Sequence, residues 1–206
     1  MKDKYYLFEK KKFYINKNEK KYNNDNNYIL KDENVTLRLL RNDKSDYELL
    51  FKWYQQKEIY SYFEQRILTY DEIVNKYYPR TKPSAKIPVY MIEYNDTPIG
   101  IVQYHKIDKE SKELYDIYDD DSYEVDIFIG ELKNHNKGIG KKAIKLICNY
   151  LINKINAKII VMCPLKNNNK AINCYKKAGF EILKCYKTED TIGNLQEFVL
   201  MARNNK

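Results

Sequence analysis

One segment of the sequence has the composition of a phosphate-binding turn. Residues 134–141 read NHNKGIGK, so Gly138 and Gly140 stand directly before a stretch with helical periodicity, and Lys137 and Lys141 flank them. The free N–H groups at a helix start attract phosphate together with the helix dipole, and glycines let a backbone approach it closely. We therefore predict a phosphate cradle here; the alternative is an ordinary tight turn with solvated lysines.

A second block, which starts 30 residues after Gly138, carries a tyrosine that could act on a leaving group. It runs from Asn168 through Ala171, Tyr175 and Gly179. Asn168 can cap a helix, because its side-chain oxygen accepts an N–H of the first turn. A tyrosine hydroxyl can give a proton or a hydrogen bond to a reacting group. The alternative for Tyr175 is a core aromatic, since the chain has 21 tyrosines.

Acidic residues are concentrated in segment 108–126, which has nine acidic and two basic residues and therefore a net charge of −7. In the predicted strand at its end, Glu124 and Asp126 point to the same face, because strand side chains alternate. Asp126, Glu124 and Asp121 could each bind a cationic group, because an acidic segment attracts cations. We predict a cationic ligand here. The alternatives are a salt bridge for Asp126 and a solvated acidic loop for 119–121.

Hydrophobic periodicity indicates the elements that must position these residues. We predict strands at 35–40, 88–94, 98–107, 122–130, 157–163, 180–186 and 195–202. We predict helices at 45–55, 137–154 and 168–179. A further helix should follow the capping box of Thr69 and Glu72 and end before Pro79. Residues 108–122 are predicted to form a polar acidic loop. This order indicates an α+β fold with a mixed sheet and helices on both faces.

The beginning of the chain differs from the rest. Residues 1–33 are rich in Lys, Asn and Tyr, and the stretch 16–27 has no apolar periodicity. We therefore divide the chain into an N-terminal extension, residues 1–33, and a single domain, residues 34–206. Residues 5–8 and 13–15 could form short strands, and we assign the extension no role.

Composition argues against several classes of protein. The sequence has no run of 18 apolar residues and no apolar stretch behind its N-terminus, so we expect no membrane span, no signal peptide and a cytoplasmic location. The four cysteines form no C-x-x-C pair and there are two histidines, so we expect no metal site. The net charge of +8 would suit nucleic acid, but the acidic segment and the excess of lysine over arginine argue against it.

Together, the two blocks resemble the acyl-coenzyme A signature of the GNAT superfamily of N-acetyltransferases. The first resembles the family pattern Gln/Arg-x-x-Gly-x-Gly/Ala, with His135 in the first position, and the second matches throughout. The resemblance implies a largely antiparallel sheet in which two parallel strands, 122–130 and 157–163, splay apart to admit the pantetheine of acetyl-CoA. It implies that Tyr175 protonates the leaving thiolate. The implied coenzyme contacts are Ile127, Phe128, Ile129, His135, Lys137, Gly138, Ile139, Gly140, Lys141 and Asn168.

Other parts of the chain resemble the aminoglycoside 6'-N-acetyltransferases, particularly the kind fused to a phosphotransferase in Gram-positive bacteria. The matching pieces are Lys52-Trp53, residues 92–95 (IEYN), 98–100 (PIG), Gln103-Tyr104 and 125–131 (VDIFIGE). The likeness extends from Val35 to Met201 and implies that Asp126 is the central catalytic carboxylate. The implied acceptor contacts are Trp53, Gln103, Glu124, Asp126 and Asp121.

Two departures from these relatives bear on the acceptor. Cys163-Pro164 stands where the relatives have Asp-Pro, and residues 61–67 lack their Gly-Gly. We predict transfer of an acetyl group from acetyl-CoA to the 6'-amino group of an aminoglycoside antibiotic, which would confer resistance, by a monomer or homodimer. Other acceptors stay open: a siderophore-type hydroxylated lysine, a polyamine or a protein N-terminus. A non-catalytic acyl-CoA sensor is the alternative from another class.

Overall fold

A computed structural model describes residues 29–204 of the chain, so the extension predicted for residues 1–33 lies largely outside the described part. The strands are β1 (Ile29–Asp32), β2 (Val35–Leu39), β3 (Val89–Tyr94), β4 (Thr97–Lys106), β5 (Ser122–Ile129), β6 (Ile159–Met162), β7 (Glu181–Glu189) and β8 (Leu195–Asn204). The α-helices are α1 (Lys44–Tyr54), α2 (Lys57–Phe63), α3 (Tyr70–Tyr77), α4 (Lys109–Tyr115), α5 (Ile139–Ile155) and α6 (Asn169–Lys177). Short 3₁₀ helices occupy Tyr78–Thr81 and Leu132–Asn134.

The eight strands form one sheet in the order β1-β2-β3-β4-β5-β6-β8-β7. Every neighbouring pair is antiparallel except β5 and β6, which run parallel. The parallel pair is possible because the 17-residue helix α5 carries the chain from the end of one strand back to the start of the next. The predicted α+β fold with a mixed, largely antiparallel sheet is confirmed.

Helices cover both faces of the sheet. On the side that we call the α5 face, α5 and α6 pack on strand residues such as Tyr90, Val102 and Val125. On the opposite side, the α1 face, helices α1 to α3 pack on Met91 and Phe128, among others. The two sets of strand residues alternate along the chain, so each face has its own hydrophobic core.

The prediction of a loop at 108–122 is wrong for its first half. Residues Lys109–Tyr115 form α4, because the Asp108 carboxylate caps the helix by accepting the N–H of Ser111 at 2.7 Å. Tyr115 and the following Ile117 are buried against Val161 on the α1 face. The helix has a single buried side chain, Tyr115, which is too little hydrophobic periodicity to indicate a helix among so many charges.

Capping motifs predict helix ends correctly in this chain, whereas the polar segments did not indicate the helices that they form. Thr69 and Glu72 form the predicted capping box of α3, which ends at Tyr77, before Pro79. Helix α2 is not predicted from the sequence, because its only buried residue is Ile59. Within residues 29–204, no helix is long and apolar enough to cross a membrane.

A buried ion pair fixes α1 to the sheet. Arg38 on β2 donates to both oxygens of Asp46 on α1 at 2.7 Å and to Glu93 on β3 at 2.7 Å. The side chains of Arg38 and Asp46 are only 5% and 2% exposed. Removing one partner of such a pair leaves a charge buried without compensation.

We therefore predict that Arg38→Met destabilises the fold by about 3–5 kcal/mol, the usual cost of breaking a buried pair from one side. Urea unfolding followed by circular dichroism measures this. Arg66→Met is the matched control, because the Arg66–Glu72 pair is largely solvated, at 46% and 40% exposure, and its loss should change the unfolding midpoint little. Equal midpoints for the two variants would contradict the prediction.

Candidate active site

The sheet opens between β5 and β6. These strands pair only from Ser122 to Glu124, opposite Ile159 to Val161. Beyond that point, β5 stays paired with β4 as far as Ile129, and β6 stays paired with β8. Within the described part of the chain, the edge of β5 after Glu124 that faces away from β4 therefore has no strand partner. Its backbone groups are available to an extended ligand.

One of these backbone groups already has a partner. The Nε2 atom of His135 lies 2.7 Å from the carbonyl oxygen of Ile129. Because a carbonyl only accepts, Nε2 must carry the hydrogen. His135 thus bonds the strand itself, whereas the resemblance implies a coenzyme contact for it. The predicted coenzyme contacts Ile127, Phe128 and Ile129 lie in the stretch of β5 that has no strand on the side away from β4, and their contact with the coenzyme stays a prediction.

The predicted phosphate cradle lies at the start of α5. Gly138 is the N-cap residue, with φ 77° and ψ 0°, and offers no side chain to cap the helix. The N–H groups of Ile139, Gly140 and Lys141 in the first turn consequently face an open helix end. The left-handed φ favours glycine at position 138. Lys137 lies beside the turn and reaches Asn134 Oδ1 at 3.3 Å.

Tyr175 and Asn168 belong to α6, on the α5 face. Asn168 caps the helix, its Oδ1 accepting the N–H of Ala171 at 3.1 Å, so its amide nitrogen is the group that could meet a ligand. Tyr175 is buried in the core of this face. Burial raises the pKa of its phenol, and the charges of Cys174 and Asp126 raise it further. The phenol is therefore protonated at neutral pH and can act as a donor.

Asp126 lies on β5, on the opposite face of the sheet from Tyr175. It is directly opposite Gln103 of β4, and the Nε2 atom of Gln103 donates to Asp126 Oδ2 at 3.0 Å. Asp126 and Phe128 share the α1 face, because they are two residues apart on one strand. The reacting groups predicted from sequence therefore approach the opening from its two sides, Tyr175 from the α5 face and Asp126 from the α1 face.

A second carboxylate accompanies Asp126. Glu124 is two residues earlier on the same face, roughly 7 Å away along the strand. It accepts a hydrogen bond from the Tyr115 hydroxyl at 3.1 Å, and His105 Nε2 lies 3.8 Å from it. Burial raises the pKa of the Glu124 carboxyl, a positive charge on His105 opposes the rise, and the negative charge of Asp126 adds to it. The structure brings together these two predicted acidic residues.

Asp121 is not brought to this place. It lies five residues before Asp126, roughly 16 Å along a strand. Its carboxylate is 44% exposed and lies 3.7 Å from Lys158, which also pairs with Asp119. The neighbouring Asp120 pairs with Lys112. Residues 119–121 thus make surface ion pairs at the far end of β5.

Trp53 does not line an open surface. It is fully buried in the core of the α1 face, and its indole N–H donates to Glu131 Oε1 at 3.0 Å. Lys52 also binds that carboxylate. A Cβ atom at Gly130 would lie 2.2 Å from the Trp53 ring, so only glycine fits there. Trp53 therefore packs against the end of β5 from the α1 face, whereas the resemblance implies that Trp53 contacts the acceptor.

Sequence reasoning missed two groups near the carboxylates. Arg80, in the 3₁₀ helix after α3, donates to Gln103 Oε1 at 2.7 Å. Tyr115 lies on α4, in the segment that the sequence predicts to be a loop. Pro79 was a visible signal for a fixed turn before Arg80, but nothing in the sequence relates that turn to Gln103. Within residues 29–204, no group of three or more His, Cys, Asp or Glu side chains could hold a metal ion.

Comparisons with known proteins identify the family of this chain. The family model described as an acetyltransferase (GNAT) domain matches residues 42–188. Among curated relatives, the aminoglycoside N(6')-acetyltransferases type 1 of Klebsiella pneumoniae and Serratia marcescens are each 26% identical over 153 residues, which cover 73% of this chain and 75% of theirs.

Two solved structures are similar in fold. Aminoglycoside acetyltransferase AAC(6')-Ib in complex with coenzyme A and kanamycin has a TM-score of 0.68 at 24% identity, covering 83% of this chain and 95% of its own. Spermidine N-acetyltransferase from Vibrio cholerae in complex with CoA and spermine has a TM-score of 0.68 at 21% identity, covering 84% and 96%. Because the family model matches most of the sequence, the chain belongs to the GNAT acetyltransferase family.

Proposed function

We propose that this protein transfers the acetyl group of acetyl-CoA to the 6'-amino group of an aminoglycoside. The observation that carries the proposal is the pair of carboxylates, Asp126 and Glu124, on one face of β5 beside the opening in the sheet. The curated relatives named aminoglycoside N(6')-acetyltransferase support the acceptor class.

The coenzyme would lie along the open edge of β5. Its pantetheine would take the place of a strand beside residues 125–129, where the backbone groups that face away from β4 lack a strand partner among the described residues. Its diphosphate would meet the first-turn N–H groups after Gly138 and the positive charges of Lys137 and Lys141. Solved structures that share this fold contain coenzyme A, which supports the assignment.

The reaction would use one proton acceptor and one proton donor. The bound ammonium first loses one proton to solvent. The neutral amine then attacks the thioester carbonyl carbon, so a C–N bond forms while the C–S bond breaks. Asp126 accepts the proton that the amine loses, directly or through water, and Tyr175 gives its hydroxyl proton to the thiolate sulfur. Exchange with solvent afterwards restores both side chains.

The acceptor would be a molecule with at least two ammonium groups. Asp126 binds the ammonium that is to react, and Glu124 offers a second anion roughly 7 Å along the strand. Burial favours the neutral form of the Glu124 carboxyl, and a bound ammonium would favour its charged form. A polyamine has the same features, and the similar structure of a spermidine N-acetyltransferase with spermine keeps it as the second candidate.

A thiol-release assay with acetyl-CoA and a panel of amines tests the proposal. The panel contains kanamycin, tobramycin, a 6'-hydroxyl aminoglycoside, spermidine and a basic peptide. We expect turnover with kanamycin and tobramycin and none with the 6'-hydroxyl compound, which lacks the nucleophile. Turnover with spermidine or the peptide alone would overturn the aminoglycoside assignment while leaving the GNAT chemistry in place.

Replacing the proposed base tests the role of Asp126. We expect Asp126→Asn to lower kcat/KM for the accepted amine by about 10²-fold or more, the usual loss when acid–base assistance is removed, and to leave the KM for acetyl-CoA unchanged. Asp96→Asn is the matched control, because it makes the same change in the exposed turn between β3 and β4. Equal rates for both variants would assign Asp126 a structural role only.

A further inference from the structure

A chain of hydrogen bonds leads from Asp126 to a cation. Arg80 Nη1 donates to Gln103 Oε1 at 2.7 Å, and Gln103 Nε2 donates to Asp126 Oδ2 at 3.0 Å. Gln103, on β4, is 93% buried, so few other groups can replace Arg80 and Asp126 as hydrogen-bond partners of its amide.

The two ends of this chain determine the orientation of the amide. A guanidinium only donates hydrogen bonds, and a carboxylate only accepts them. If the amide of Gln103 were turned over, its NH₂ group would face the donors of Arg80 and its oxygen would face the oxygens of Asp126. Both contacts would then be repulsive, so Arg80 selects the orientation in which Gln103 donates to Asp126.

Arg80 is itself held by the aromatic core of the α1 face. Pro79 is the second residue of the short 3₁₀ helix, and the Arg80 guanidinium carbon lies 5.2 Å from the centre of the Tyr77 ring. Tyr77 is fully buried and shares a hydrogen bond of 2.6 Å with the hydroxyl of Tyr54. The cation therefore has a defined place although it is partly exposed to solvent.

The neighbouring charges are balanced in pairs. Lys76, one turn before Arg80, binds the Glu64 carboxylate. Burial lowers the pKa of Lys76, and the positive charge of Arg80 lowers it further, while the charges of Glu64 and Asp126 raise it. Two cations and two anions thus lie on this side of the opening, and Arg80 is the cation that is linked to Asp126 through the amide of Gln103.

We propose that Arg80 is a positioning residue, which acts through the amide of Gln103 to orient the carboxylate of Asp126 toward the acceptor amine. The proposal rests on the acetyl transfer proposed above. It assigns Arg80 no contact with the coenzyme, so the loss of Arg80 should affect kcat with the amine and leave the KM for acetyl-CoA unchanged.

A double-mutant cycle tests whether Arg80 acts through Gln103. We expect Arg80→Met and Gln103→Leu each to lower kcat by roughly 10-fold, as a misplaced reactive group does, and the double variant to be no slower than Gln103→Leu alone. Arg80→Lys should recover part of the rate, because an ammonium can still donate to the Gln103 oxygen. Lys82→Met is the matched control, since Lys82 stacks on Tyr78 at 3.9 Å in the same turn. Losses that multiply in the double variant would overturn the proposal.

A measurement without turnover separates this proposal from the proposed function. The side-chain NH₂ resonances of Gln103 in a ¹H–¹⁵N spectrum can be assigned by their absence in Gln103→Leu. In Arg80→Met, and less so in Arg80→Lys, we expect them to shift and to exchange faster with water, while in Lys82→Met they stay in place. Unchanged resonances in both Arg80 variants would overturn the positioning role. Shifted resonances in an enzyme that acetylates no amine of the panel would instead count against the proposed function.

Discussion

The separation of β5 from β6 after Glu124 and Val161 is the constraint on which the rest of the site depends. Each strand is held by a different antiparallel neighbour, β5 by β4 and β6 by β8. Three residue pairs join the two halves of the sheet, and beyond them the strands follow their own partners. An interruption of this kind leaves backbone N–H and C=O groups that must find other partners. The ring of His135 satisfies one of them at Ile129, and an extended ligand can satisfy the others.

This opening explains why the reactive groups lie where they do. A strand that borders a gap presents alternate side chains on the two faces of the sheet, so a ligand in the gap is within reach of both. Asp126 is presented on the α1 face and Tyr175 approaches from α6 on the other. The supports are correspondingly separate. Trp53 packs against the end of β5, and the Arg38–Asp46 pair anchors α1. Both contacts support the α1 face, on which Asp126 lies.

Sequence reasoning predicted the parts of the fold that depend on local patterns. The capping box at Thr69, the cap at Asn168 and the strand predicted at 122–130 each rest on neighbouring residues, and each appears in the structure. Helix α4 was missed because its apolar contact comes from a single residue, Tyr115, within a strongly charged segment. The burial of Trp53 was not visible either, since an amphipathic helix does not reveal which of its apolar residues face a cleft.

The hydrogen-bond chain to Asp126 shows where local reasoning ends. Arg80 and Gln103 are 23 residues apart in sequence, and their contact depends on how α3 packs across the sheet. The resemblance pointed to Gln103 as an acceptor contact, whereas its amide is engaged on both sides, by Arg80 and by Asp126. Residues that position a reactive group through another side chain carry no motif of their own, and only the three-dimensional arrangement identifies them.

Amide hydrogen exchange with and without coenzyme A tests whether acetyl-CoA occupies the opening between β5 and β6. If the pantetheine takes the place of a strand there, the amides of Val125, Ile127 and Ile129, which face away from β4, and those at the start of α5 should exchange at least about 10-fold more slowly when the coenzyme is bound, because they gain hydrogen-bond partners. Amides of β3, on the far side of β4, should not change. Tight binding of coenzyme A with no protection in residues 125–129 would contradict the account.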